Sequence, residues 1–408
     1  MAAGRGGRPR GLAVDVTVYH EPGGTAGLGG AEVATAVLAH ALRDRHAVEV
    51  VCHIPDLTAA RLGEFARVDL GGVAVRTVPH PPHRGWVPPG AGVWNLGRAL
   101  RGWKADLSRG CDLFVTCTHG VPPINAAPAG MAYVHFPLYD RTREWPWAGA
   151  GRGVGRVKGW LRRAAHDRYW RERWEGYQVV VGNSAFVAEH TRARWGVPCG
   201  VLYPPVEVDR PHGPKGKVIA VLGRFTPMKA QAEIVRAFRG RERTDLQGWE
   251  LVCAGTVGAG DDGYFREVRE AAAGGAVTLL PDAPAEAVRD LLARAAVFWH
   301  AAGLGVDPAA EPHRLEHFGI ATVEAMAAGC VPVTLDRGGQ REIVRHGADG
   351  FLCGGLDEMA DRVAELARDD GLRGALGAAA RASARRFGRD RFVERVRAEL
   401  APLTGGGT

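Results

Sequence analysis

Two glutamates eight residues apart, Glu316 and Glu324, lie in the segment EHFGIATVEAMAAGCVPV (316–333). The pattern predicts a helix from about Gly319 to Ala328, stopped by Gly329. Glu316 then falls in the loop before the helix, beside His317, and Glu324 falls on the helix itself. A helix start leaves the amides around Phe318, Gly319 and Ile320 without intrahelical partners, so they can bind an anion or sugar oxygens. Gly319 removes a side chain where backbone would have to approach a ligand. Spacing alone also allows a plainer reading, a capped helix carrying surface glutamates.

Two cations stand apart from the other basic residues by their position. Arg224 and Lys229, in GRFTPMK (223–229), follow an apolar run of strand length on the turn into the next helix. A diphosphate needs two cations, one able to form a fork of hydrogen bonds; two exposed basic side chains are the ordinary alternative. His135 ends the apolar run MAYVHFP (131–137), where an imidazole facing a cleft can donate hydrogen bonds or shuttle a proton, or else be tied to backbone. His119, at the preceding strand end, is a weaker candidate. Gly29 and Gly30 in GLGGAE (27–32) open the first helix and can bring amides to a phosphate. Gly27-x-Gly29-x-x-Glu32 approaches a dinucleotide fingerprint, with Glu49 as the later acid. Glu32 stands where a third Gly or Ala belongs, and Glu49 lies inside a strand, so a nicotinamide enzyme is disfavoured.

Strands alternating with helices must position these groups. VDVTVYH (14–20), AVEVVCHI (47–54), VAVRTV (73–78), CDLFVTCT (111–118), MAYVHFP (131–137) and YQVVVGNS (177–184) form one series. KVIAVLGRF (217–225), WELVCAG (249–255), AVTLLP (276–281), AAVFWHA (295–301) and CVPVTL (330–335) form a second. Repeated strand–helix units predict parallel, doubly wound sheets, with ligands at the carboxyl ends of strands. The Pro- and Gly-rich stretch between the series reads as a linker. The expected division is a disordered tail over 1–10, a first domain over 11–203, a linker over 204–216, a second domain over 217–385, and a C-terminal helix over 386–408 that returns to the first.

The string 316–333 closely resembles the signature of the retaining family 4 glycosyltransferases, and within them the branch of α-1,2-mannosyltransferases that extend dolichol-linked oligosaccharides. The resemblance runs from Val14 to about Phe351 and is weakest over 55–110 and 138–176. It implies the GT-B fold, two Rossmann-like domains facing across a cleft. It implies that Glu316 faces the donor sugar, Glu324 holds the ribose, and Arg224 and Lys229 hold the diphosphate. The loop of Gly29 and Gly30 would contact the diphosphate or the acceptor, and His135 would lie near the reacting centre. His317, Phe318, Gly319 and Ile320 complete the donor site, with Gly338, Gly339 and Glu342 in a later loop nearby. The expected reaction transfers a sugar with retention from a nucleotide-sugar, GDP-mannose first and UDP-sugars next, to a glycan, lipid-linked or small-molecule acceptor. No metal is expected, because the cations suffice and no Asp-x-Asp cluster stands in the second half. An epimerase-like enzyme and a non-catalytic nucleotide-sugar-binding protein are the alternatives. A hydrolase pair is disfavoured by the cations around the glutamates.

Bulk properties fit but do not choose. The 408 residues suit two domains, and the formal charge of +7 suits an anionic partner. Seven scattered cysteines without a C-x-x-C pair predict buried thiols in a reducing, cytoplasmic setting. The segment 152–175 interleaves basic residues with Trp160, Tyr169, Trp170 and Trp174. It reads as a helix with tryptophans packed inward and arginines in water, or as a peripheral membrane contact for a lipid-linked acceptor. No nucleic-acid module accompanies it.

Overall fold

The computed structural model describes residues 13–21, 28–79, 107–138, 170–171, 173–211 and 213–404. It divides into two compact units: residues up to Leu202 together with those from Phe392 on, and Tyr203–Arg391. The expected tail over 1–10 lies outside the described residues.

The first unit is built on β1 (Asp15–His20), β2 (Ala47–Cys52), β3 (Ala74–Thr77), β4 (Leu113–Thr118), β5 (Ala129–Val134), β6 (Val179–Gly182) and β7 (Gly200–Val201). Their order is β3-β2-β1-β4-β5-β6-β7 and every pairing is parallel. β4 and β5 are buried along their whole length, which is why neither alternates apolar with charged residues. Helix Gly30–Arg43 covers the sheet through Val37, Leu38 and Leu42. Ser184 caps helix Ala185–Trp195 by accepting from the Val187 amide at 3.0 Å.

The second unit carries β8 (Val218–Leu222), β9 (Glu250–Gly255), β10 (Val277–Pro281), β11 (Val297–His300), β12 (Val331–Leu335) and β13 (Phe351–Cys353). Their order, β10-β9-β8-β11-β12-β13, is again wholly parallel. In each unit the winding reverses between the first strand and its later neighbour, β1/β4 and β8/β11. Such switch points open a crevice at the strands' carboxyl ends. Both units are Rossmann-like, which is the GT-B fold class.

The Pro-rich stretch after β7 packs onto the second unit. Val206 is buried and bridges to Gly388, and Lys215 Nζ lies 2.7–3.0 Å from the carbonyls of Leu292, Ala293 and Ala328. The helix Arg389–Leu400 ends the described fold, with Phe392, Val396 and Leu400 in the core of the first unit. All seven cysteines are buried free thiols. Within 152–175, Trp170 is buried and bonded to the Trp195 carbonyl, and Trp174 packs on Trp195. Arg173 departs from the expectation of water-facing arginines. It is 6% exposed and donates to the Pro122 carbonyl at 2.6 Å, because the helix presents that position to the loop before β5. Trp160 and Tyr169 lie outside the described residues.

Candidate functional site

In the second unit the switch point brings together residues far apart in sequence. β8 delivers the loop Gly223–Lys229, and β11 ends on His300. Gly223 has φ +148, and a Cβ on Gly255 would lie 1.9 Å from the Gly223 carbonyl. The turn therefore needs glycine on both strand ends to set Arg224 and Lys229 where they stand. Lys229 Nζ donates to Glu316 Oε2 at 2.5 Å. His300 Nε2 meets the same oxygen at 2.9 Å. Burial pushes the Glu316 carboxyl up, but the Lys229 charge and the His300 hydrogen bond outweigh it and hold the group well below the usual carboxylate range. Burial is also the main force on His300 and lowers its pKa. Arg224 is exposed, on the same turn as Lys229.

The helix Ile320–Ala327 begins one residue beyond Gly319, whose φ of +118 is a conformation that favours glycine. Among the described residues the amides of Phe318 and Gly319, and that of Ile320 at the helix start, donate to no protein group. Phe318 turns its ring into the core, 5.6 Å from Tyr203 and 5.3 Å from Phe387, so only its backbone is available to a ligand. His317 bonds to the His313 carbonyl at 3.1 Å. Gly338 and Gly339 underlie this loop. Added Cβ atoms would come 2.4 Å from the carbonyls of Glu316 and His317, and the Gly339 amide bonds the Glu316 carbonyl at 2.8 Å. Glu324, one turn into the helix, is bonded through Oε1 to Arg210. Burial dominates there and raises its pKa despite Arg210.

The first unit gathers a separate polar cluster at its own switch point. His20, ending β1, meets Glu32 Oε1 at 3.0 Å and Thr35 Oγ1 at 3.1 Å. Glu32 Oε2 accepts from the Gly29 amide at 2.7 Å. That amide is engaged within the chain, contrary to its expected use on a phosphate, whereas Gly30 is exposed at the helix start. His135, just past β5, stacks on His119 with ring centroids 4.5 Å apart. Burial lowers the His119 pKa to about 4, so that ring is neutral at pH 7. Glu49 makes a two-pronged pair with Arg76, both distances 2.9 Å. Among the described residues no group of three or more His, Cys, Asp or Glu is arranged to hold a metal ion, and no helix is long and apolar enough to cross a membrane.

Sequence reasoning missed three side chains of these clusters. His300 was hidden in the strand AAVFWHA, where a histidine closing an apolar run is the only signal. Arg210 lies in the supposed linker, 114 residues from Glu324. Glu21 accepts from the amides of His119 and Gly120, both at 3.1 Å, across the β1/β4 switch point.

Two switch-point sites on two Rossmann-like units define a GT-B protein. Residues 28–210 match the family described as Glycosyltransferase Family 4, and residues 207–383 match Glycosyl transferases group 1. Together the two matches run from residue 28 to residue 383. A D-inositol 3-phosphate glycosyltransferase of Salinispora arenicola is 34% identical over 185 residues, 44% of this chain and 40% of the relative. A GDP-Man:Man(3)GlcNAc(2)-PP-Dol alpha-1,2-mannosyltransferase of Dictyostelium discoideum is 48% identical over 52 residues, 12% of this chain and 10% of the relative. The match thus spans well under half the length of either relative. The Anabaena HepE structure in complex with UDP and glucose has the same fold, with a TM-score of 0.64 and 17% identity over 95% of this chain and 100% of that one.

Proposed function

We propose that the protein is a retaining, metal-independent glycosyltransferase that takes a nucleotide-sugar donor at the β8/β11 switch point. The observation that carries this reading is the Lys229–Glu316–His300 cluster beside the unengaged amides of Phe318, Gly319 and Ile320. A carboxylate for sugar hydroxyls and cations for a diphosphate stand together on one sheet end. Departure of the nucleotide diphosphate leaves negative charge on its phosphate oxygens. Arg224, Lys229 and the helix-start amides stabilise that charge electrostatically. Glu316 holds the sugar through Oε1, and Glu324 holds the ribose through Oε2. The acceptor hydroxyl attacks on the face the diphosphate leaves, and its proton passes to a departing phosphate oxygen.

A UDP-hexose is the first donor to test and a polyol or its phosphate the first acceptor, on the strength of the UDP-bound fold relative and the inositol-phosphate relatives. GDP-mannose is the second donor, supported by the 52-residue match to a mannosyltransferase. Calorimetric titration with UDP-glucose, UDP-N-acetylglucosamine and GDP-mannose, with and without EDTA, tests the donor and the metal together. Loss of binding on EDTA would exclude metal independence. The anomeric coupling constant of the product, read by NMR, tests retention.

A further inference from the structure

His300 is not required by any step above, yet it is the most constrained member of the cluster. Its side chain is 4% exposed, closes β11, and lies 5.7 Å from the Phe298 ring in a near-parallel stack. Among the described residues the only hydrogen bond of that imidazole runs to Glu316 Oε2. Lys229 holds the same oxygen from a long stem that is 26% exposed. Among the described residues no protein group donates to Oε1. The carboxylate is thus gripped on one oxygen by two anchors of different lability.

We propose that His300 is a positioning residue that fixes the Glu316 carboxylate by donating from Nε2 to Oε2, keeping Oε1 for the substrate when Lys229 turns to the donor diphosphate. The proposal rests on the donor-site reading. A diphosphate offers Lys229 a second anionic partner, and a flexible ammonium can swing between the two. An enclosed imidazole with two rotatable bonds cannot. Burial disfavours its protonation, so the neutral ring carries its one N–H on Nε2, as an ionised Glu316 requires. Lys229 and His300 are the titratable groups acting on Glu316, and Lys229 and Glu316 those acting on His300.

The test compares H300F, which keeps a ring but loses the donor, with H300Q, whose amide N–H can reach Oε2. Full-length protein labelled with 13C at the glutamate carboxyls, with the Glu316 signal assigned through E316Q, is titrated without nucleotide. In H300F the Glu316 carboxyl titrates higher than in the wild type, and H300Q restores most of the shift. With whichever of UDP-glucose or GDP-mannose the wild type turns over, H300F loses about 10- to 100-fold in kcat. Its donor affinity stays within about threefold of wild type, because the loss falls on orientation rather than on binding. An unchanged Glu316 titration in H300F overturns the proposal, as does a loss confined to donor affinity. The titration needs no substrate. It therefore decides the role of His300 even where neither sugar nucleotide binds, a result that would count against the donor reading alone. Should H300F fail to fold, H300N, whose shorter amide falls short of Oε2, is read in its place.

Discussion

Glu316 and Glu324 are half-buried carboxylates on one short stretch, yet their pKa values are shifted in opposite directions. Lys229 and His300 overcome burial at Glu316, whereas burial prevails over Arg210 at Glu324. The signs follow by linkage. Glu316 binds its proton less tightly folded than unfolded, so it contributes stability above its ordinary value of 4.5, lost as pH falls through the lower folded value. In E316Q this acid-side loss should vanish, and the melting temperature should fall less steeply between pH 5 and pH 3, about the span over which a lowered carboxylate titrates. A slope equal to wild type would mean that the pair is not formed in solution. Glu324 has the reverse sign: its folded pKa is raised, so its ionisation costs stability as pH rises through that value. Arg210→Met removes the cation that limits this cost. Its melting temperature should therefore lie further below wild type at pH 8 than at pH 5, and donor binding should weaken about tenfold. The glutamates were legible because they sit in one compact string. Their holders were not, since His300 and Arg210 join them across 16 and 114 residues through folding alone.

At the scale of elements, the site depends on one short helix and the loop before it. The helix Ile320–Ala327 is held at its C-terminal end by Lys215, whose ammonium also lies against the last carbonyls of helix Ala285–Arg294. A cation there meets the negative ends of two helices at once. Lys215→Met should cost about 1.5–3 kcal/mol in urea unfolding, the range for hydrogen bonds to a charged group. The front of the helix is set by Gly339, where a Cβ would meet the His317 carbonyl at 2.4 Å and the Phe318 Cα at 2.6 Å. Neither atom is a movable side-chain end. Gly339→Ala should therefore push back the 316–318 loop, lowering stability by about 1–3 kcal/mol and transfer along with it. A variant with wild-type melting and activity would show that this backbone contact is dispensable. The long strands were readable because a strand buried on both faces is a near-continuous apolar run, as in β8. β7 and β13 were not. Two- and three-residue strands at the last sheet positions carry too few side chains to form a pattern, and only pairing with β6 and β12 defines them.

At the scale of the whole chain, the two units share no sequence segment except the final helix, which starts in one and ends in the other. Its Phe392 is 3% exposed in the core of the first unit, 6.2 Å from the Tyr133 ring. The residues assigned to the donor, apart from the glycine loop and His135, all belong to the second unit. These facts separate stability from binding. Phe392→Ala removes packing from the first unit alone, at about 3–5 kcal/mol. A nucleotide that binds the second unit should stabilise it by about 2.7 kcal/mol at one hundred times its Kd. Calorimetry of the variant should then resolve two transitions, because separate units need not melt together. The lower one should be insensitive to added nucleoside diphosphate, and the upper one should move up with its concentration. If the ligand instead moved the lower transition, the first unit would carry the nucleotide. The glycine loop, whose Gly29 amide is already spent on Glu32, would then have to open to receive it.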